Sequence, residues 1–232
     1  MAVEVFDALV VGAGPVGSYA SMLLSKMGYS VAIMEEHPVV GRPVQCAGLV
    51  NSRMRDLPGM GLLDRSVLNE ISGADVFSPS GTMIEIRARR TKALSIDRAG
   101  FDRSIAKAAV DGGSVLFLGH KVTSARSDGD IWKVTASTIG GRSELRGRSL
   151  LICEGSNTTL RRGLGLSLPS EIVPGISCEL QADSSSFDQG NVAIFTGRRT
   201  APGFFAWAIP AGSRGRFKAG LCTSSGGDLR PY

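Results

Sequence analysis

Val5-Phe6-Asp7-Ala8-Leu9-Val10-Val11, followed at once by Gly12-Ala13-Gly14-Pro15-Val16-Gly17 and an Ala-, Leu- and Met-rich run to Met27, decides how this chain of 232 residues folds. The first seven residues are nearly all apolar, the pattern of a strand buried on both faces of a parallel sheet. Pro15 stands where a helix begins and Gly28 where it ends. Ser30 to Met34 is a second apolar strand, closing on Glu35. Strand, glycine turn, helix and strand make one βαβ unit.

A GxGxxG spacing alone means little, but between a strand and a helix it has a physical reading. Gly12 permits the tight turn, Gly14 lets the backbone approach a pyrophosphate, and Gly17 lets helix pack on strand. The helix N-terminus offers free N–H groups and the positive end of its dipole. Glu35, 23 residues after Gly12, can accept both hydroxyl hydrogens of an adenosine ribose and would repel a 2′-phosphate. The site therefore suits FAD or NAD and disfavours NADP.

Working outward, residues 37–69 are punctuated by Gly and Pro and read as loop with short helix. Val76-Phe77 and Met83–Arg87 read as a hairpin turning at Pro79–Gly81. Asp97 can cap a helix through Phe101, Ile105 and Ala108, stopped by Gly112-Gly113. Val115–Leu118, Lys121–Ala125, Ile131–Ala136 and Leu150–Cys153 suggest a small antiparallel meander returning to a buried strand. Ile176–Gln181, Val192–Phe195, Phe204–Ile209 and Phe217–Leu221 read as strands of another sheet. The expected organisation is a nucleotide domain from residues 1–70 and 95–168, with a second β-sheet domain from residues 71–94 and 169–232.

Composition excludes several classes. Four widely separated cysteines (Cys46, Cys153, Cys178 and Cys222) form no CxxC pair, which argues against zinc or a disulfide scaffold and for a reducing cytoplasm. No metal site is expected. The only histidines, His37 and His120, lack a Ser, Cys or metal-ligand partner at useful spacing; His37 reads as a loop residue near the ribose and His120 as structural. Glu4 and Asp7 stand where an export signal would be basic. No apolar run is long enough to span a bilayer. The net charge of +5, with basic clusters at Arg87–Arg90, Arg161-Arg162 and Arg198-Arg199, fits a solvated surface or attraction to phosphates and anionic lipid. Aromatics are too few, and too separate from the basic runs, for nucleic acid.

The stretch Cys153-Glu154-Gly155-Ser156-Asn157-Thr158-Thr159-Leu160-Arg161 resembles the second flavin motif of the para-hydroxybenzoate hydroxylase superfamily. Gly155, Leu160 and Arg161 match that motif, while Glu154 replaces its Asp and Thr158 its Ser. Within the superfamily the chain looks most like the geranylgeranyl reductases, including the archaeal digeranylgeranylglycerophospholipid reductases. The marks are Gly41-Arg42-Pro43-Val44-Gln45-Cys46-Ala47-Gly48-Leu49, Ile96-Asp97-Arg98 with Phe101-Asp102, and Ala201-Pro202-Gly203 with Phe205-Ala206-Trp207-Ala208-Ile209-Pro210-Ala211-Gly212.

The resemblance implies an α/β fold, a Rossmann-like FAD-binding domain with a second, mostly antiparallel β-sheet substrate domain. It implies FAD as cofactor, held by Gly12, Gly14, Gly17, Glu35, Glu154, Gly155, Thr158 and Arg161, with backbone groups of Val122 at the adenine. Cys46, Ala47 and Gly48 would lie along the flavin, Cys46 close to the reacting ring and the substrate, and Arg98 would approach the cofactor from the next helix. Phe205 and Trp207 would wall the substrate pocket. The implied reaction is saturation of isolated C=C bonds in a geranylgeranyl chain, with hydride from reduced flavin and a proton from Cys46 or a water. The implied partners are a prenyl lipid, an external electron donor of the NAD(P)H or ferredoxin-like kind, and a membrane surface met peripherally.

The superfamily's third flavin element, a late Gly-Asp, has only Gly227-Asp228 as a counterpart. That pair follows the sheet strands too closely, so the chain reads as C-terminally truncated. Three alternatives stand beside the reductase. They are a flavin monooxygenase or halogenase, since Phe205-x-Trp207-x-Ile209-Pro210 comes within one aromatic of the halogenase Trp-x-Trp-x-Ile-Pro; a quinone-linked electron-transfer dehydrogenase; and a non-catalytic fragment.

Overall fold

A computed structural model describes residues 5–183, 187–213 and 215–224. In chain order, β1 (Val5–Val11) leads through α1 (Pro15–Lys26) to β2 (Val31–Met34). After a long loop come β3 (Leu49–Asn51), two short 3-10 turns, β4 (Val67–Ile71), β5 (Gly73–Phe77), β6 (Met83–Arg87) and β7 (Ala93–Ile96). The helix α2 (Arg98–Asp111) precedes β8 (Val115–Phe117), β9 (Lys121–Asp128), β10 (Ile131–Thr138) and β11 (Gly141–Ile152). Then follow α3 (Thr159–Gly163), β12 (Gly175–Gln181), β13 (Asn191–Thr196), β14 (Phe205–Pro210) and β15 (Arg216–Cys222).

The chain divides into two compact units, residues 1–44 with 99–170 and residues 45–98 with 171–232. The sequence reading drew the line later, at residue 70, and resumed the first domain at 95. Residues 45–70 join the second unit because β3 and β4 both pair with β7 in a small antiparallel sheet, ordered β3-β7-β4. Short, irregular strands of this kind carry little periodicity, and β7 was not anticipated.

In the first unit six strands run in the order β8-β2-β1-β11-β10-β9. The first four are mutually parallel, and β11, β10 and β9 form the antiparallel meander. The apolar runs of β1 and β2 are buried as their composition requires. α1 buries Gly17, Ser18, Ser21, Met22 and Ser25, a face of mostly small residues that brings helix close to sheet. Its buried hydroxyls are satisfied locally: Ser18 Oγ donates to Ala13 O at 2.9 Å and Ser21 Oγ to Gly17 O at 2.8 Å. One core joins Phe6, Leu9, Val11 and Met34 with Val122, Val134, Ala136 and Leu160, so the meander and α3 share apolar packing with the parallel strands.

In the second unit β12-β15-β14-β13-β5-β6 form a six-stranded sheet, antiparallel except for the β13–β5 pair. The hairpin expected at Pro79–Gly81 joins β5 to β6, with Gly81 N–H donating to Ser78 O at 3.0 Å. Ile71, Val192 and Ile209 form a core against which Ala47, Ala93, Ile194 and Trp207 pack.

Candidate functional site

In the first unit β1 ends at Val11, and Gly12 makes the turn at φ 99°, a left-handed conformation that favours glycine. Cys153 N–H, just past β11, donates to Val11 O at 2.9 Å, which holds the two strand ends side by side. A methyl group at Gly12 would overlap the carbonyl oxygen of Cys153. One at Gly17 would overlap Gly12 O and come within 3.2 Å of Cys153 Cβ. The glycine turn, the first turn of α1 and the Cys153–Gly155 segment are therefore in direct contact. Beside Gly14 a methyl group would meet nothing within 4 Å. Gly14 caps α1 with no side-chain hydrogen bond and Pro15 occupies the first turn, so the N–H groups of that turn have no side-chain cap.

Glu35 sits at the adjacent strand end. Its Oε2 accepts Ala13 N–H at 2.8 Å, its Oε1 accepts His37 N–H at 3.0 Å, and His37 Nδ1 lies 2.6 Å from Oε1. Gly12 N–H donates to Met34 O, Glu35 N–H to Phe117 O and His120 N–H to Glu35 O. The carboxyl ends of four parallel strands are thus laced together around one carboxylate and one glycine turn. This is where open parallel sheets bind nucleotides.

Glu154 is tied to the start of α3. Its carboxylate is nearly buried, accepts Leu160 N–H at 3.0 Å and Arg161 N–H at 3.1 Å, and pairs with Arg161 Nε at 3.3 Å. Arg161 also donates to Gly155 O and Asn157 O. Glu154 thus caps α3, where the N-cap Thr158 makes no side-chain cap bond. The longer carboxylate reaches the helix from six residues away and braces the Gly155 loop. Val122 contributes its side chain to the core, opposite the irregular pairing of Thr135 and Ala136.

In the second unit Gly48 turns at φ 72° and is closely overbuilt. A methyl group there would lie 2.6 Å from Ile96 O, 2.9 Å from Lys218 Nζ and 3.1 Å from Arg98 Cγ. Gly48 N–H donates to the exposed Cys46 Sγ at 3.4 Å, and Gly48 O accepts Ile96 N–H at 2.8 Å. Arg98, distant in sequence, meets the Cys46–Gly48 turn here, and Ala47 packs toward the same core as Trp207. Phe204 and Phe205 stack at 4.7 Å, and Phe205 meets Trp207 edge-on at 6.3 Å. Trp207 Nε1 is buried without an acceptor among the described residues. Gly227-Asp228 lies outside the described residues.

Two residues escaped the sequence reading. His37 was expected near the ribose, but its grip on Glu35 was not; its spacing of two residues from Glu35 was the available signal. Lys218 carried no signal, as one charge in an otherwise ordinary strand.

A parallel sheet with a glycine turn, an anion-ready helix start and a ribose-type carboxylate at its carboxyl edge defines a dinucleotide-binding fold. The chain belongs to the FAD binding domain family, whose profile matches residues 5–222. It is 26% identical over 222 residues to a digeranylgeranylglycerophospholipid reductase of Methanocaldococcus jannaschii, covering 94% of this chain and 56% of that protein. The chain spans about half the length of such relatives. The fold is similar to a geranylgeranyl bacteriochlorophyll reductase-like protein of Thermoplasma acidophilum (TM-score 0.84, 20% identity, 96% of this chain and 57% of that one). It is also similar to p-nitrophenol 4-monooxygenase of Pseudomonas putida (TM-score 0.79, 16% identity, 99% of this chain and 60% of that one). The residues at the strand ends fit FAD: the turn leaves open space at Gly14, and the carboxylate of Glu35 stands beside it.

Proposed function

We propose that this chain belongs to an FAD-dependent reductase that saturates C=C bonds in geranylgeranyl chains of isoprenoid lipids. The observation that carries the reading is the abutment of the Gly12 turn on Cys153, which unites the two flavin motifs. The N–H groups at the start of α1, reached across Gly12, Gly14 and Gly17, take the pyrophosphate. Glu35 takes the ribose hydroxyls, with His37 and Ala13 fixing its orientation. Glu154, Thr158 and Arg161 act by holding the Gly155 loop, and the backbone of Val122 is assigned to the adenine.

Cys46, Ala47, Gly48 and Arg98 are assigned to the flavin ring, with Cys46 nearest the substrate. Bound FAD, once reduced, supplies hydride. An isolated alkene has no carbonyl to polarise, so the protein's share is an apolar surface, exclusion of water and one proton. Phe205 and Trp207, an edge-to-face pair, suit the wall of such a surface. The names of relatives such as the Methanocaldococcus reductase support this substrate class. An external NAD(P)H or ferredoxin-like donor, a cytoplasmic setting and peripheral contact with anionic lipid complete the proposal; the net charge of +5 supports the last.

The test is to reconstitute the chain with FAD, reduce it anaerobically and add a geranylgeranyl lipid. Reoxidation of flavin with a gain of two hydrogens per double bond in the lipid is expected. A second reading, aromatic monooxygenation or halogenation, is favoured by Phe205-x-Trp207-x-Ile209-Pro210 and by the fold shared with the Pseudomonas monooxygenase. Oxygen-dependent hydroxylation of a phenol, with no lipid reduction, would select it.

A further inference from the structure

A carboxylate offers about four lone pairs, two on each oxygen. On Glu35 three of these are taken: Oε2 accepts Ala13 N–H, and Oε1 accepts both His37 N–H and His37 Nδ1–H. Oε1 is therefore full, and at most one place remains on Oε2. An adenosine ribose presents two adjacent hydroxyls to such a carboxylate. As folded, Glu35 has room for one of them. To take both, it must lose one of its present donors. Two of the three are backbone groups, one in the glycine turn and one only two residues along the chain, and neither can leave without unmaking the loop. The imidazole is different, because rotation about its own side-chain bonds frees it. Its side chain is 38% exposed, against 12% for that of Glu35, so the ring has solvent to turn into. All of these groups belong to the first unit.

We propose that the His37 imidazole is a displaceable latch, which holds Glu35 Oε1 until the adenosine ribose of FAD claims it. This rests on the assignment of Glu35 to that ribose. The ring at 2.6 Å makes a charge-assisted hydrogen bond, and a ribose hydroxyl on the same oxygen makes another. Binding therefore exchanges one such bond for the other. A site whose competent form is a minor population binds with its affinity reduced by that fraction. Removing the ring removes the competitor, while Ala13 N–H and His37 N–H still orient the carboxylate. His37 is thus a specificity-determining residue of unusual sign. Its loss should tighten a nucleotide that carries ribose hydroxyls. A nucleotide without them has nothing to gain at Oε1, with or without the ring.

The experiment measures equilibrium binding of two ligands to the full chain: FAD, and an FAD whose adenosine lacks both the 2′ and the 3′ hydroxyl. His37→Ala should bind FAD about 10-fold more tightly than wild type, the size of one charge-assisted hydrogen bond. It should bind the dideoxy ligand with wild-type affinity, a dependence that a merely structural role for His37 would not produce. A second readout follows the ring itself in 15N-histidine-labelled protein. The chain has two histidines, so the His37 signals are assigned by their loss in His37→Ala. The hydrogen-bonded Nδ1 signal of wild type should shift on addition of FAD and stay in place with the dideoxy ligand. An FAD affinity that does not rise in His37→Ala, equal tightening of both ligands, or a ring signal indifferent to FAD overturns the latch alone. If Glu35→Ala binds FAD as tightly as wild type, the ribose assignment itself falls, and the latch falls with it.

Discussion

At the scale of single residues, the fold concentrates its demands on a few positions. Gly17 has no room for a methyl group between Gly12 O and Cys153, so Gly17→Ala should lower stability by about 1–3 kcal/mol. It should also release FAD; urea unfolding and the retained flavin spectrum would check this. Glu35 is held by Ala13 N–H and His37, and its carboxylate is oriented before any ligand arrives. Glu35→Ala should therefore weaken FAD binding about 10- to 100-fold, measured by titration. Glu154→Ala should act differently. It removes the acceptor of two backbone N–H groups and of Arg161 Nε, so its primary effect should be a loss of about 1.5–3 kcal/mol of stability. Gly12, Gly14, Gly17 and Glu35 were legible because glycine spacing and a carboxylate at a fixed distance follow from backbone geometry alone. The capping role of Glu154 was not, because it depends on where α3 begins.

Elements show how the residues are bound into layers. β11 serves two neighbours: Gly147 faces Trp132 of the meander and Phe6 of β1, and a methyl group there would lie 2.6 Å from Leu9 Cγ. Gly147→Ala should shift the urea midpoint downward by an amount equivalent to about 1–3 kcal/mol. Next to Phe6 on β1, Asp7 accepts Ser30 N–H at 2.9 Å and Ser30 Oγ at 2.7 Å, clasping the starts of β1 and β2. The hydrogen bonds from Ser30 hold the Asp7 carboxyl below the usual range. Its contribution is therefore present above the unfolded pKa, near about pH 4, and is lost as pH falls through the folded value. Asp7→Asn should flatten the acid limb of stability, seen as a smaller fall in urea midpoint on acidification. The βαβ unit, the strands β9 to β11 of the meander and the four late strands were readable from apolar runs and turn residues; Val115–Leu118 was placed in the meander, whereas β8 pairs in parallel with β2 at the opposite edge of the sheet, because a short apolar run does not encode its partner. The alternation in β15 is right for Phe217 and Leu221, which are buried, but misleads for Lys218, which it would turn to solvent. Ile96 and the Gly48 turn cover Lys218 instead.

At the scale of the molecule, the FAD binding domain family membership and the laced strand ends predict that the purified chain takes up FAD, visible as a protein-bound flavin spectrum. Emptying that site with Gly17→Ala should leave the second unit's β-sheet intact, since among the described residues its strands pair with one another; hydrogen exchange resolved along β13–β15 would report it. The chain's local chemistry was sufficient to specify the nucleotide turn and the parallel strands around it, while the flavin family was read from a resemblance of motifs. Those depend on neighbours in sequence, on a period of alternation and on the φ angles that only glycine adopts freely. Where residues 45–70 belong, what Glu154 and His37 hold, and why Lys218 is buried were decided by long-range pairing. Each depends on atoms brought together from distant parts of the chain, and no local pattern encodes such a meeting.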